Sequence, residues 1–76
     1  MQTNDKHIVL KALSDFEKLI VFDKSTKGGI FYPSTIVSNT YSVAYEIVSQ
    51  LKSKYPSVKF FNLTGDIVIH IEFEVP

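Results

Sequence analysis

Between residues 8 and 20, the apolar side chains of Ile8, Val9, Ala12, Leu13, Phe16, Leu19 and Ile20 recur at helical spacing, with His7, Lys11, Ser14, Asp15 and Lys18 opposite. Asn4 or Asp5 is a suitable N-cap, so the pattern predicts a helix over about 5–17 after a short tail, 1–4. Leu10 alone falls off the stripe. The next four residues, Leu19-Ile20-Val21-Phe22, are apolar without interruption, which predicts a strand covered on both faces. Asp23 to Gly29 reads as a turn through its Ser25, Thr26 and Gly28-Gly29. Ile30-Phe31-Tyr32 then reads as the returning strand, limited by Pro33, which cannot donate to a ladder. Ile36-Val37 either extends this strand or packs under the second helix.

That second helix is predicted from Ser38-Asn39-Thr40 onward. Tyr41, Ala44, Ile47, Val48, Leu51 and Tyr55 form its stripe, and Ser42, Glu46, Ser49, Gln50 and Ser53 line the other side. Lys52 and Lys54 complement the helix dipole near its end. Pro56 stops it, because the residue before a proline is pushed out of α geometry. Beyond it lie two alternating segments, Val58–Leu63 and Ile67–Glu74, around Thr64-Gly65-Asp66. A two-residue turn with Gly65 first suits type II′ geometry. That register sets Lys59 against Glu72, Val58 against Phe73 and Phe60 against Ile71. On the opposite face it sets Phe61 against His70 and Leu63 against Val68.

The order α-β-β-α-β-β predicts an α+β fold. One four-stranded antiparallel sheet carries two helices packed on one face, in a single domain over 1–76. At 76 residues, a chain buries only about 60% of the surface it exposes when unfolded. Stability is therefore modest unless a disulfide, a metal or self-association adds to it. There is no cysteine, which excludes disulfides, thiolate metal sites and cysteine nucleophiles. Two histidines do not make a conventional zinc site. No metal and no cofactor is expected.

Formal net charge is zero and there is no arginine. A nucleic-acid binder normally has a basic excess, and arginine is the preferred residue for phosphate and base-edge contacts. Both features weigh against DNA or RNA. The polar start Met1-Gln2-Thr3-Asn4-Asp5 has no secretory pattern, and no apolar run approaches a membrane span, so a cytoplasmic location is expected. The lean toward Ile, Lys, Phe, Tyr and Asn is common in AT-rich genomes, many phages among them.

Candidate chemistry is thin. Phe61, Leu63, Val68 and His70 form an apolar cluster on the predicted outer sheet face, which either a loop or a second chain covers; Tyr32 and Tyr45 join it as interface-type side chains. Lys24, Lys27, Gly28 and Gly29 form a donor-rich loop that suits an anion, although the phosphate-loop order is absent and a solvated turn explains it as well. His70 near Glu72 is the sole general-base candidate. Asp15, Glu17, Asp23, Asp66, Glu72 and Glu74 have no spacing that fits paired-carboxylate catalysis or a calcium loop. The sequence thus points to a non-catalytic protein-binding module, a regulator, inhibitor or subunit, that binds another protein, a second copy of itself, or both. A sheet-based single-strand nucleic-acid binder and a small oligomeric enzyme are the alternatives.

Overall fold

The computed structural model describes residues 3–22, 25, 27–33, 40–64 and 69–76. Within them the chain is α+β, with two helices and a three-stranded antiparallel sheet. Helix α1 spans Thr3–Glu17 and α2 spans Thr40–Lys54; the strands are β1 Gly28–Phe31, β2 Lys59–Thr64 and β3 His70–Glu74. The strand order is β1-β3-β2.

Both helices form where the apolar stripes lie. Val9, Ala12 and Phe16 of α1 and Val43, Ala44, Ile47, Val48 and Leu51 of α2 are buried, and they meet Phe31, Val58, Ile69, Ile71 and Phe73 in one cluster. Leu10, the misfit in the stripe, is exposed. Helix α1 starts at Thr3, so two residues expected in the tail already belong to its first turn. Asp5 is buried in that turn, where the positive end of the helix dipole favours a carboxylate. In α2 the stripe is rotated slightly: Val43 is buried and Tyr41 is exposed.

At the centre is Phe16, fully buried. Its ring lies 5.3 Å from Phe31, 5.5 Å from Phe60, 5.0 Å from Phe73 and 5.6 Å from Tyr55. The two edge-on contacts, to Phe31 and Phe73, have the geometry aromatic quadrupoles prefer. Tyr55 comes directly after α2, its N–H donating to the Leu51 carbonyl and its own carbonyl accepting from Val58 N–H. At the same end, Lys54 Nζ meets Glu17 Oε2 at 3.1 Å, linking the C-terminal ends of the two helices. The hydrogen bond with Glu17 raises the Lys54 pKa above its ordinary value. On the alkaline side the link is therefore kept until the pH rises past the ordinary lysine range and deprotonates Lys54.

Three expectations are corrected. Residues 18–22 are not a strand: Lys18–Phe22 continue α1 as a π-helical turn. Leu19 and Ile20 stay on the helical stripe and pack against the core, while Val21 and Phe22 are exposed. Among the described residues the sheet therefore has three strands and not four. Secondly, Gly28 and Gly29 are part of β1 and not of a turn. A Cβ on Gly28 would lie 2.8 Å from the Phe73 carbonyl oxygen, so the close approach of β1 to β3 requires glycine there, and Gly29 has φ +145°.

The third correction concerns the register of β2. Lys59 pairs with Glu74, Phe60 with Phe73 and Phe61 with Glu72, two residues away from the expected partners; beyond a bulge, Leu63 pairs with Ile71 and Thr64 with His70. Lys59 still faces a carboxylate, because a two-residue shift preserves the faces. The bulge does not preserve them. Asn62 is the extra residue, at φ 51°, a left-handed conformation asparagine tolerates better than most residues. It returns Leu63 to the inner face, half-buried against the core. Thr64 pairs with His70 and not with Ile67, as a two-residue turn would require. Gly65, Asp66 and Val68 lie outside the described residues, as does Ile36-Val37.

Asn62 and Tyr55 are both open to a stability test. Asn62→Val is expected to destabilise by about 1–2 kcal/mol, since a β-branched residue is strained at positive φ, whereas Asn62→Gly leaves stability equal or higher in urea titrations. Among the described residues the buried Tyr55 hydroxyl has no partner at hydrogen-bond distance, so Tyr55→Phe is expected to be neutral or to stabilise by up to about 1 kcal/mol; a loss of stability would show that the hydroxyl is satisfied in solution, with the neighbouring Lys54 as the nearest cation.

Candidate functional site

The outer face of the sheet is built by alternation along β3. Ile69, Ile71 and Phe73 point into the core, so His70, Glu72 and Glu74 point away from the helices. Register places a neighbour beside each. Gly28 and Lys59 flank Glu74, Ile30 and Phe61 flank Glu72, and Thr64 flanks His70. Tyr32, just past β1, completes the third row with its ring edge-on to His70 at 5.4 Å.

The face is amphipathic. Ile30, Tyr32 and Phe61 are 44%, 59% and 42% exposed. Between them, His70 Nε2 lies 3.6 Å from Glu72 Oε1, an ion pair when the imidazole is protonated. Their side chains are 29% and 31% exposed, so both remain in contact with water. A carboxylate beside an imidazole can orient it as a base. A general base also needs a substrate held against it, and this pair lies on the outward sheet face, in contact with water.

The expected interface residues separate into two groups. Tyr32 and His70 meet on the outer face. Phe61 is opposite Glu72 instead of His70 and also lines a cleft of about 230 Å³ at the free edge of β2, together with Tyr45, Val48, Lys52, Phe60, Asn62, Leu63 and Ile71. Tyr45, exposed on α2, belongs to that cleft and not to the sheet face. Leu63 lines it from the inner side. Val68 lies outside the described residues. Ile30 was not singled out from the sequence, although its signal was present: with Phe31 inward, its neighbours Ile30 and Tyr32 must share the outer face. Exposed Val21 and Phe22 were hidden by the strand expected there.

The donor-rich loop takes a different form from the one expected. Lys24 lies outside the described residues. The Lys27 carbonyl accepts Val75 N–H at 2.8 Å, and Gly28 and Gly29 are in the ladder against Glu74 and Phe73. The glycines serve strand packing, and the nearest outward side chain is a carboxylate, which opposes an anion. Among the described residues no group of three or more histidines and carboxylates could hold a metal ion, and no helix is long and apolar enough to cross a membrane.

No family of known proteins matches the chain, and neither a curated protein nor a solved structure shows significant similarity to it.

The Tyr32–His70 contact is directly testable. Tyr32→Ala is expected to remove the ring-current effect on His70 and move its ring-proton resonances toward unfolded-chain values, while resonances of the Phe16 cluster stay in place. Unmoved His70 resonances would show that the two rings do not meet in solution.

Proposed function

We propose that this chain is a protein-binding module that acts by surface complementarity, as a regulator, inhibitor or subunit does. The outer sheet face docks on a partner surface that is apolar and carries cations. One observation carries the reading: Ile30 and Tyr32 from one edge of the sheet and Phe61 from the other stay exposed around the outward carboxylates Glu72 and Glu74. Contiguous exposed apolar side chains on a small domain mark interaction surfaces. Aromatic anchors around a polar centre are the composition of binding hot spots. Lys59 and a protonated His70 offset part of the acidity, so the complementary surface needs few cations.

The same geometry disfavours the alternatives. Phe61 and Tyr32 could stack bases, but the central strand between them presents carboxylates where phosphates would run, and there is no arginine to meet them. Among the described residues, a catalytic role for His70 lacks a positioned nucleophile, and both side chains of the His70–Glu72 pair stay in contact with water.

The test compares tagged wild type, Phe61→Asp and Leu10→Asp as baits in nuclease-treated lysate of the native cell, with a fluorescent single-stranded oligonucleotide as a parallel probe. Leu10 is exposed on α1, away from the sheet. A protein retained in near-equal amount by wild type and Leu10→Asp, and lost with Phe61→Asp, is the expected result. Capture indifferent to Phe61, or salt-sensitive binding of the oligonucleotide, would overturn the reading.

A further inference from the structure

The two edges of the sheet are protected very differently. Strand β2 carries Lys59 and is broken by the Asn62 bulge, both of which blunt an edge against pairing. Strand β1, Gly28-Gly29-Ile30-Phe31, has no charged side chain and no bulge, and its only partner among the described residues is β3.

Hydrogen-bond alternation shows what that edge presents. The 2.8 Å bond from Val75 N–H to the Lys27 carbonyl makes residues 27 and 75 a bonded pair. In an antiparallel ladder every second residue bonds the same neighbour. Gly29 and Phe31 therefore direct their N–H and C=O groups at β3, and Gly28, Ile30 and Tyr32 direct theirs at the open edge. Pro33 has the parity of Phe31, so its missing N–H removes nothing from that edge.

We propose that β1 is a self-pairing edge: two copies of this chain join β1 to β1 antiparallel, across a two-fold axis at Ile30, to make one sheet of six strands. The sequence is self-complementary in this register. Ile30 meets Ile30 of the second copy, and Gly28 meets Tyr32 of the second copy, so outward-facing groups meet only outward-facing groups. On the outer face Gly28 has no side chain to crowd Tyr32 of the second copy, whose ring keeps its edge-on contact with its own His70. No like charges are brought together in the pairing. The outer face stays open and is doubled in extent, so the proposal is independent of what that face binds.

The contact is short. An interface well below about 1,200 Å² belongs to the weak class, so dimerisation is expected at roughly 10–100 µM rather than nanomolar concentration.

Sedimentation equilibrium up to about 1 mM, the limit of weak but specific affinity, tests it on wild type, Ile30→Lys and Phe61→Asp. Ile30 is partly exposed and its backbone faces away from β3, so Ile30→Lys is expected to fold, and circular dichroism checks this. Wild type and Phe61→Asp are expected to rise toward twice the chain mass with concentration, and Ile30→Lys to stay at one chain mass. Amide exchange at Gly28, Ile30 and Tyr32 is expected to slow with concentration while that of β2 does not change. A wild type at one chain mass throughout would overturn the proposal and leave the edge to a strand from another protein. Self-association lost with Phe61→Asp but kept with Ile30→Lys would overturn it in favour of face-to-face pairing.

Discussion

Everything in this fold converges on the ring of Phe16. It belongs to α1, yet it touches Phe31 of β1, Phe60 of β2, Phe73 of β3 and Tyr55 at the end of α2. A two-layer domain of this size has room for one such centre, because a single layer of side chains separates the helices from the sheet. Truncating a buried phenylalanine costs about 3–5 kcal/mol, close to the whole stability expected of a small domain. Phe16 also fixes the inner face of every strand. Once Phe31, Phe60 and Phe73 are committed inward, Ile30, Phe61, Glu72 and Glu74 have no choice but the outer face. The candidate site is thus a by-product of the core, positioned by the same alternation.

That dependence explains which parts were legible in the sequence. Both helices arise from their stripes, including the isolation of Leu10 and the stop at Pro56. The opposition of Lys59 to a carboxylate survives because register shifted by two and the pleat repeats every two. The strand expected at 19–22 fails for a local reason. A four-residue apolar run fits a strand or the end of a buried helix equally, and the recurrence of Leu19 and Ile20 at the spacing of Phe16 and Leu13 already favoured the helix. Tertiary packing of those two residues on the core decides the matter, and the chain absorbs it as a π-helical turn.

The bulge was harder to read. Strict alternation through β2 puts Asn62 inward beside Phe60 and sends Leu63 outward. A polar residue at a core position was the warning. Taking Asn62 out of the ladder relieves it, since the residue then occupies a left-handed turn suited to its side chain and Leu63 goes back inside. Leu63 accordingly leaves the expected outer cluster and Ile30 joins Phe61, His70 and Tyr32 there, while Val68 lies outside the described residues. The observed cluster is more amphipathic than the expected one, because Glu72 sits at its middle.

The layer count also decides what sort of chemistry the site can support. Electrostatic catalysis depends on groups held in a water-excluded, low-dielectric setting. Here the sheet has helices on one side only, and the His70–Glu72 pair faces outward with nearly a third of each side chain in water. In that setting an ion pair is screened and contributes little, but it still sets charge pattern and orientation at a surface. Recognition tolerates this where turnover does not: it needs apolar anchors that lose water on contact and polar groups that reject the wrong partner. In the proposed reading, Ile30, Tyr32 and Phe61 supply the first, and Glu72, Glu74 and His70 supply the second. In the same reading, a partner docked on this face would add a third layer to the two that the described residues form.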